Sequence, residues 1–274
     1  TADRQAMQHQ HTLEVRVREL QRMIEDRTRE LRDANESKDR FLAILAHELR
    51  NPLAPIHHAV ELLQLSEGAT PTLRNACEII RRQVGHIARL LDDLLDISRI
   101  QHGKIRLERR PVEIGPLVRH AIEASMPLIN AFRHELRVDI PEDDLRVEGD
   151  PTRLEQIVSN LLNNATKYTE PGGRIVVAVW HVGQRVTVHV DVTGIGIDED
   201  MITRVFDLFA QAEQAIDRSQ GGLGIGLTLV RHLVHMHGGE VRASSAGLGQ
   251  GSEFSVTLPL IGAANDGTSE RPAR

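Results

Sequence analysis

The chain of 274 residues has one cysteine, one tryptophan, one tyrosine and five phenylalanines. A single thiol, Cys77, cannot close an internal disulfide, which fits a reducing compartment. Its place in an apolar helical pattern predicts a small core residue. The 14 histidines are scattered, and His235 and His237 are one residue apart, so no Cys/His or helical ligand spacing suggests zinc. No apolar run reaches 18 residues and no signal peptide is present, so no membrane segment is expected. The 33 basic and 39 acidic residues give a net charge of −6, without the basic excess that nucleic-acid binding calls for. The first residue is not methionine, and the chain reads as a cytoplasmic fragment of something longer.

Glycine and proline are also missing from residues 12–40, which are rich in charge. There Leu13, Val17, Leu20, Ile24 and Leu31 recur in steps of four and three, with Arg27 and Ala34 at the other seam positions. This short, imperfect heptad seam predicts a parallel coiled coil. It runs into Phe-Leu-Ala-Ile-Leu-Ala-His-Glu-Leu-Arg-Asn-Pro, residues 41–52. At about 100° per residue, Phe41, Leu42, Leu45, Leu49, Leu53, Ile56 and Val60 share one arc of roughly 120°, with His47 and Asn51 opposite. A neutral imidazole nitrogen can act as a nucleophile, and the neighbouring Glu48 carboxylate can accept the other ring N–H.

A first helix is expected to about Leu65, a turn at Ser66–Pro71, and a second helix over about 72–101. Each keeps a broad apolar face, which two hairpins bury by pairing as a dimeric four-helix bundle. Beyond residue 112 the pattern is α/β. Helices are expected over 114–131, 151–168 and 223–237, and strands over 134–140, 174–180, 185–191 and 253–259. The strand pair around Gly183 and the terminal strand predict a mixed, largely antiparallel sheet with helices on one face. The predicted organisation is a coiled coil over 1–37, a dimerising helical domain over 38–108, an α/β domain over 109–260 and a tail or linker over 261–274.

Asn160, Asn164 and Lys167 fall at i, i+4 and i+7 on one helical flank, and suit oxygen-rich ligands. Gly222, Gly224 and Gly226 precede the apolar run Leu227–Val230, where backbone N–H groups and a helix N-terminus can meet phosphate. Residues 198–222 would form a lid.

Residues 41–52 resemble the H-box of sensor histidine kinases, and three further boxes follow in the family's order. Asn160–Thr169 resembles the N-box, Gly194–Ile197 the end of the first glycine box and Gly222–Leu227 the second. Phe206-Asp-Leu-Phe209 is similar to the phenylalanine motif before the lid. The resemblance covers roughly residues 38–260. It implies a Bergerat-type ATPase fold and the cofactors ATP and Mg²⁺. Autophosphorylation would fall on His47, assisted by Glu48 and Asn51, with transfer to a response-regulator receiver domain and a reverse phosphatase reaction. It carries nucleotide binding onto Asn160, Asn164, Lys167, Tyr168, Val192, Gly194, Gly196, Ile197, Gly222, Leu223, Gly224, Gly226 and Leu227, with Asn164 on Mg²⁺ and Asn160 supporting it.

One position departs. The family's first glycine box begins with an aspartate that accepts from the adenine amino group, and Val192 stands there. A buried donor left unpaired costs about 1–3 kcal/mol. Asp191 could replace it only through a one-residue strand slip that reverses every side chain. The alternative is therefore a kinase-impaired variant acting as phosphatase or dimeric scaffold. A gyrase-like or chaperone-like ATPase lacks the H-box hairpin. A zinc peptidase would need a second histidine where Asn51 stands.

Overall fold

The computed structural model describes residues 21–24, 26–28, 45, 49–61, 63, 71–101, 105–210 and 224–262. Most of the expected seam, together with His47, Glu48, the turn at 66–70, residues 211–222 of the lid, Leu223 and residues 263–274, lies outside the described residues. The chain divides into two compact units, Thr1–Ile79 and Ile80–Arg274.

In the first unit, residues 21–24 and 26–28 are helical, and α1 covers residues 49–61. The expected apolar arc of α1 is only partly covered within the single chain. Pro52 and Ala59, seven residues apart, are buried, whereas Leu53 and Val60 are 54% and 39% exposed. α2, Pro71–Gln101, begins in this unit and ends in the second. Cys77 is exposed, against expectation, because the preceding Ala76 takes the buried position. Further along α2, Leu90 is buried while Val84, Leu91 and Leu95 form an exposed stripe at i, i+7 and i+11.

The second unit adds β1 (Arg110–Glu113), α3 (Ile114–Ala131), β2 (Glu135–Asp139), β3 (Arg146–Gly149) and α4 (Pro151–Tyr168). There follow β4 (Arg174–Val182), β5 (Arg185–Val192), α5 (Glu199–Ile202), α6 (Gly226–Met236), β6 (Glu240–Ser244) and β7 (Ser252–Pro259). Five strands form one sheet in the order β2-β4-β5-β7-β6, with β2 parallel to β4 and every other pair antiparallel. This is the mixed, largely antiparallel sheet expected. β1 and β3 make a separate antiparallel pair that the sequence reading missed, as it missed β6 and α5.

Strand alternation sets the core. Val186, Val188, Val190 and Val192 of β5 are all buried, and Phe254, Val256 and Leu258 of β7 continue their face. α3 and α4 cover it, since Ile114, Leu117, Leu154, Ile157, Val158 and Leu161 meet Val188, Val256 and Leu258 around one small gap. Burying this many branched aliphatic side chains, at about 1.5–3 kcal/mol each, supplies the main stabilisation. The opposite face carries half-buried groups such as Trp180 and His189, whose rings lie 5.3 Å apart.

Candidate functional site

α4 is the element from which the site is built. Asp150 caps it, accepting from the N–H groups of Thr152 at 3.0 Å and Arg153 at 3.3 Å, and Pro151 opens its first turn. Leu154, Ile157, Val158, Leu161, Leu162 and Ala165 bury one face. Asn160, Asn164 and Lys167 emerge about 110° round the helix from that face, each half-buried. The Lys167 ammonium lies 4.7 Å from the centre of the Tyr168 ring.

The start of α6 meets this flank. A Cβ added to Gly226 would lie 3.9 Å from the Asn160 side-chain carbonyl, so α6 begins beside that amide. No side chain caps α6, so its first N–H groups keep their capacity for an anion. The Asn160 amide nitrogen is buried without a hydrogen-bond partner, as is the Thr228 hydroxyl on α6. An orphaned buried amide beside an uncapped helix start fits an oxygen-rich ligand. Amide oxygens from Asn160 and Asn164 also suit Mg²⁺, a hard cation. Gly224, just before α6, has φ +66°, and its carbonyl accepts from the Phe209 N–H at 3.2 Å, which ties the phenylalanine motif to the start of α6. Phe206 stacks edge-on against Phe254, 6.4 Å between ring centres.

The first glycine box closes the cradle against the end of α4. The Ile195 N–H donates to the Tyr168 carbonyl at 3.0 Å, and a Cβ on Gly194 would sit 2.4 Å from that same oxygen. Gly196 has φ +72°, and its Cβ would fall 2.0 Å from the Gly247 carbonyl oxygen. Both positions therefore demand glycine. Ile197 donates its N–H to the Ser245 hydroxyl at 3.0 Å. Ile197 and Leu227 are both half-buried.

Val192 ends β5 and is 5% exposed, opposite Ile175 on β4 and Ser252 on β7. It continues the helix-covered face. Asp191 pairs with Val176 and Glu253 and points to the other face, so the strand has not slipped. Ser252 went unnoticed in the sequence because the terminal strand was expected to start one residue later. Its alternation with Phe254, Val256 and Leu258 is the signal that would have found it. Asn51 is exposed on α1, and His57 and His58 flank Glu61 at 3.4 and 3.7 Å.

His237, expected only to mark a helix end, is 5% exposed and wired at both ring nitrogens. Nδ1 lies 2.7 Å from the Leu233 carbonyl, and Nε2 accepts from the Asp150 N–H at 3.1 Å. Burial holds its pKa below the ordinary value, and the nearby Arg109 guanidinium adds to this, against the Leu233 hydrogen bond and the Asp150 carboxylate. As pH falls, the unfolded chain therefore takes up this proton before the folded one. The stabilisation held by neutral His237 is complete above about pH 6.5 and is lost as pH falls from there through the folded-state value. The melting-temperature gap between the protein and His237→Gln should be widest near pH 7.5 and narrow toward pH 5; a gap independent of pH would contradict this.

Two families match the chain. "His Kinase A (phospho-acceptor) domain" matches residues 37–103, and "Histidine kinase-, DNA gyrase B-, and HSP90-like ATPase" matches residues 149–262. The circadian input-output histidine kinase CikA of Synechococcus elongatus is 36% identical over 90% of this chain and 34% of its own length. The adaptive-response sensory kinase SasA of a Synechococcus species is 36% identical over 84% of the chain and 62% of its own. The chain thus spans about a third to three-fifths of these curated relatives. Among solved structures, full-length ShkA in complex with AMPPNP has a TM-score of 0.60 and 29% identity, covering 82% of this chain and 46% of that one. Among the described residues no helix is long and apolar enough to cross a membrane.

Proposed function

We propose, for a chain that belongs to the two-component histidine-kinase family through its phospho-acceptor and ATPase domains, that it phosphorylates itself on His47 from ATP and passes the phosphoryl group to an aspartate of a receiver domain. The observation that carries this reading is the orphaned Asn160 amide beside the uncapped start of α6, on the flank that also bears Asn164 and Lys167. A dissociative phosphoryl transfer needs positioning and charge neutralisation more than covalent help from the protein. Lys167 and the α6 N–H groups supply charge and donors to the phosphates. Asn164, with Asn160 behind it, would hold Mg²⁺, which when bound neutralises phosphate charge. The His47 imidazole nitrogen forms the N–P bond as the P–O bond to ADP breaks, and Glu48 takes the proton from the other ring nitrogen. Asn51 assists this step and orients water for the reverse, phosphatase reaction. Incubating the chain with γ-labelled ATP should give acid-labile, alkali-stable label that requires Mg²⁺ and chases to a receiver domain. Acid-stable label, or label that survives chelation of divalent cations, would refute the reading.

The exposed stripe of Val84, Leu91 and Leu95 on α2, with Leu53 and Val60 on α1, supports a homodimer through residues 38–101. Sedimentation at micromolar concentration should give twice the chain mass, and a folded monomer would refute the dimer. A second reading, a kinase-impaired phosphatase or scaffold, draws on Val192, whose side chain offers no acceptor on the face where the family's aspartate would lie.

A further inference from the structure

Asp96, near the end of α2, is a buried carboxylate at 5% exposure. Such a charge persists only when it is paired and hydrogen-bonded. Its partners come from the first turns of α4. Arg153 donates to both oxygens, Nη1 to Oδ2 at 2.5 Å and Nη2 to Oδ1 at 3.0 Å. Gln156 Nε2 adds a third bond to Oδ2 at 3.0 Å, and its own Oε1 accepts from Arg153 Nη1 at 2.7 Å. A planar guanidinium forked onto a carboxylate fixes orientation as well as distance. Two more ties lie in the segment after α2. The Glu108 N–H donates to Asp150 Oδ2 at 3.1 Å, and Arg109 Nη2 donates to the Met236 carbonyl at the end of α6 at 2.6 Å. All of these bonds grip the start of α4 and the end of α6. The nucleotide-facing groups sit at the opposite ends of the same two helices.

We propose that Asp96 is a positioning residue for phosphoryl transfer: its clasp on Arg153 fixes the angle at which α4 carries the Asn160, Asn164 and Lys167 flank. This rests on the reading that His47 is phosphorylated from ATP. α4 acts as a lever. Asn164 lies eleven residues beyond Arg153, or about 16 Å at a rise of about 1.5 Å per residue, so a tilt of about 10° at the clasp moves it by about 3 Å. A misplacement of about 1 Å can cost on the order of 100-fold in a reaction that depends on alignment. α4 packs on β5 and β7 and lies beside the start of α6, so the Val192 face and the α6 N–H groups tilt with it as one body relative to α2, and ATP binding is unaffected.

The test compares the parent chain with Asp96→Asn, Arg153→Asp, and the exchange of Asp96→Arg with Arg153→Asp, each as the intact chain. Single-turnover labelling is followed at saturating ATP and Mg²⁺, and ATP affinity is measured by calorimetry. Each single substitution should slow labelling by about tenfold or more, as lost alignment does, with ATP affinity unchanged. The exchange should recover most of the rate. Labelling as fast as or faster than the parent's in the single variants, a fall in affinity that matches the fall in rate, or an exchange no better than Arg153→Asp would each overturn the proposal. A parent chain that takes no label from ATP would overturn the His47 reading itself, whereas a labelled parent with insensitive variants overturns only the role of Asp96.

Discussion

His47→Gln should reduce phosphate incorporation from ATP to background while leaving ATP affinity within about twofold, because His47 lies in the segment matched by the phospho-acceptor domain and every group assigned to nucleotide binding lies in the segment matched by the ATPase domain. Glutamine keeps a polar side chain of similar size and removes only the nucleophilic nitrogen. The expected label is a phosphoramidate, stable to alkali and lost in acid, and its chemistry distinguishes it from a phosphoester on serine or threonine. Persistent label in the variant would move the nucleophile elsewhere. His58 is the first place to look, since it lies eleven residues on from His47 and within about 20° of it around the helix expected from the sequence. Its Nδ1 sits 3.7 Å from Glu61 and that of His57 3.4 Å from the same carboxylate, so both rings are in reach of an activating base. Phosphate analysis of His47→Gln with His58→Gln would then settle the assignment.

The sequence disclosed the parts of this fold whose signals are local. α4 carries its cap, its proline and a regular apolar stripe within 18 residues, and its ends were read without error. β4 and β5 alternate over long runs and meet at the Gly183-Gln184 turn, so their pairing was legible too. β1 and β3 have four residues each and form a two-stranded sheet of their own, tied to the end of β7 by one bridge from Val147 to Leu260, leaving no alternation long enough to register. The expected helix at 223–237 begins instead at Gly226, because Gly224 takes a positive φ before it. At the site, residue types and spacing pointed to Asn160, Asn164 and Lys167, yet only the tertiary structure reveals that the Asn160 amide is orphaned beside Gly226. Asp96 shows the same limit more sharply. In sequence it is one charge within the apolar run Leu94–Ile97, and its partner stands 57 residues later.

Val192→Asp should tighten ATP by about 1–3 kcal/mol, or about 5- to 150-fold, by giving the adenine amino group an acceptor. The substitution lands on the helix-covered face, in register with Ile175 and Ser252, where Val192 is now 5% exposed. No neighbour on β5 can stand in for it, because Asp191 points to the other side of the sheet. The gain should be specific to the base. GTP presents a carbonyl where ATP presents an amino group, so a carboxylate opposes it, and discrimination follows from leaving the wrong partner unpaired. The phosphate contacts proposed for Lys167 and the α6 N–H groups would be common to both nucleotides and should not change. The free protein should become less stable, since a carboxylate at so buried a site lacks a partner until ATP arrives. Calorimetric titration of ATP and GTP into both proteins, with melting curves of each, measures all three effects. Tight, adenine-selective binding by the unmodified chain would show that an acceptor already exists. The Ser252 hydroxyl, cross-strand from Val192 on the same face, is the group placed to supply it, and Ser252→Ala should then abolish the selectivity. In that outcome Val192 would leave kinase activity intact, and the reading of an impaired enzyme would fall.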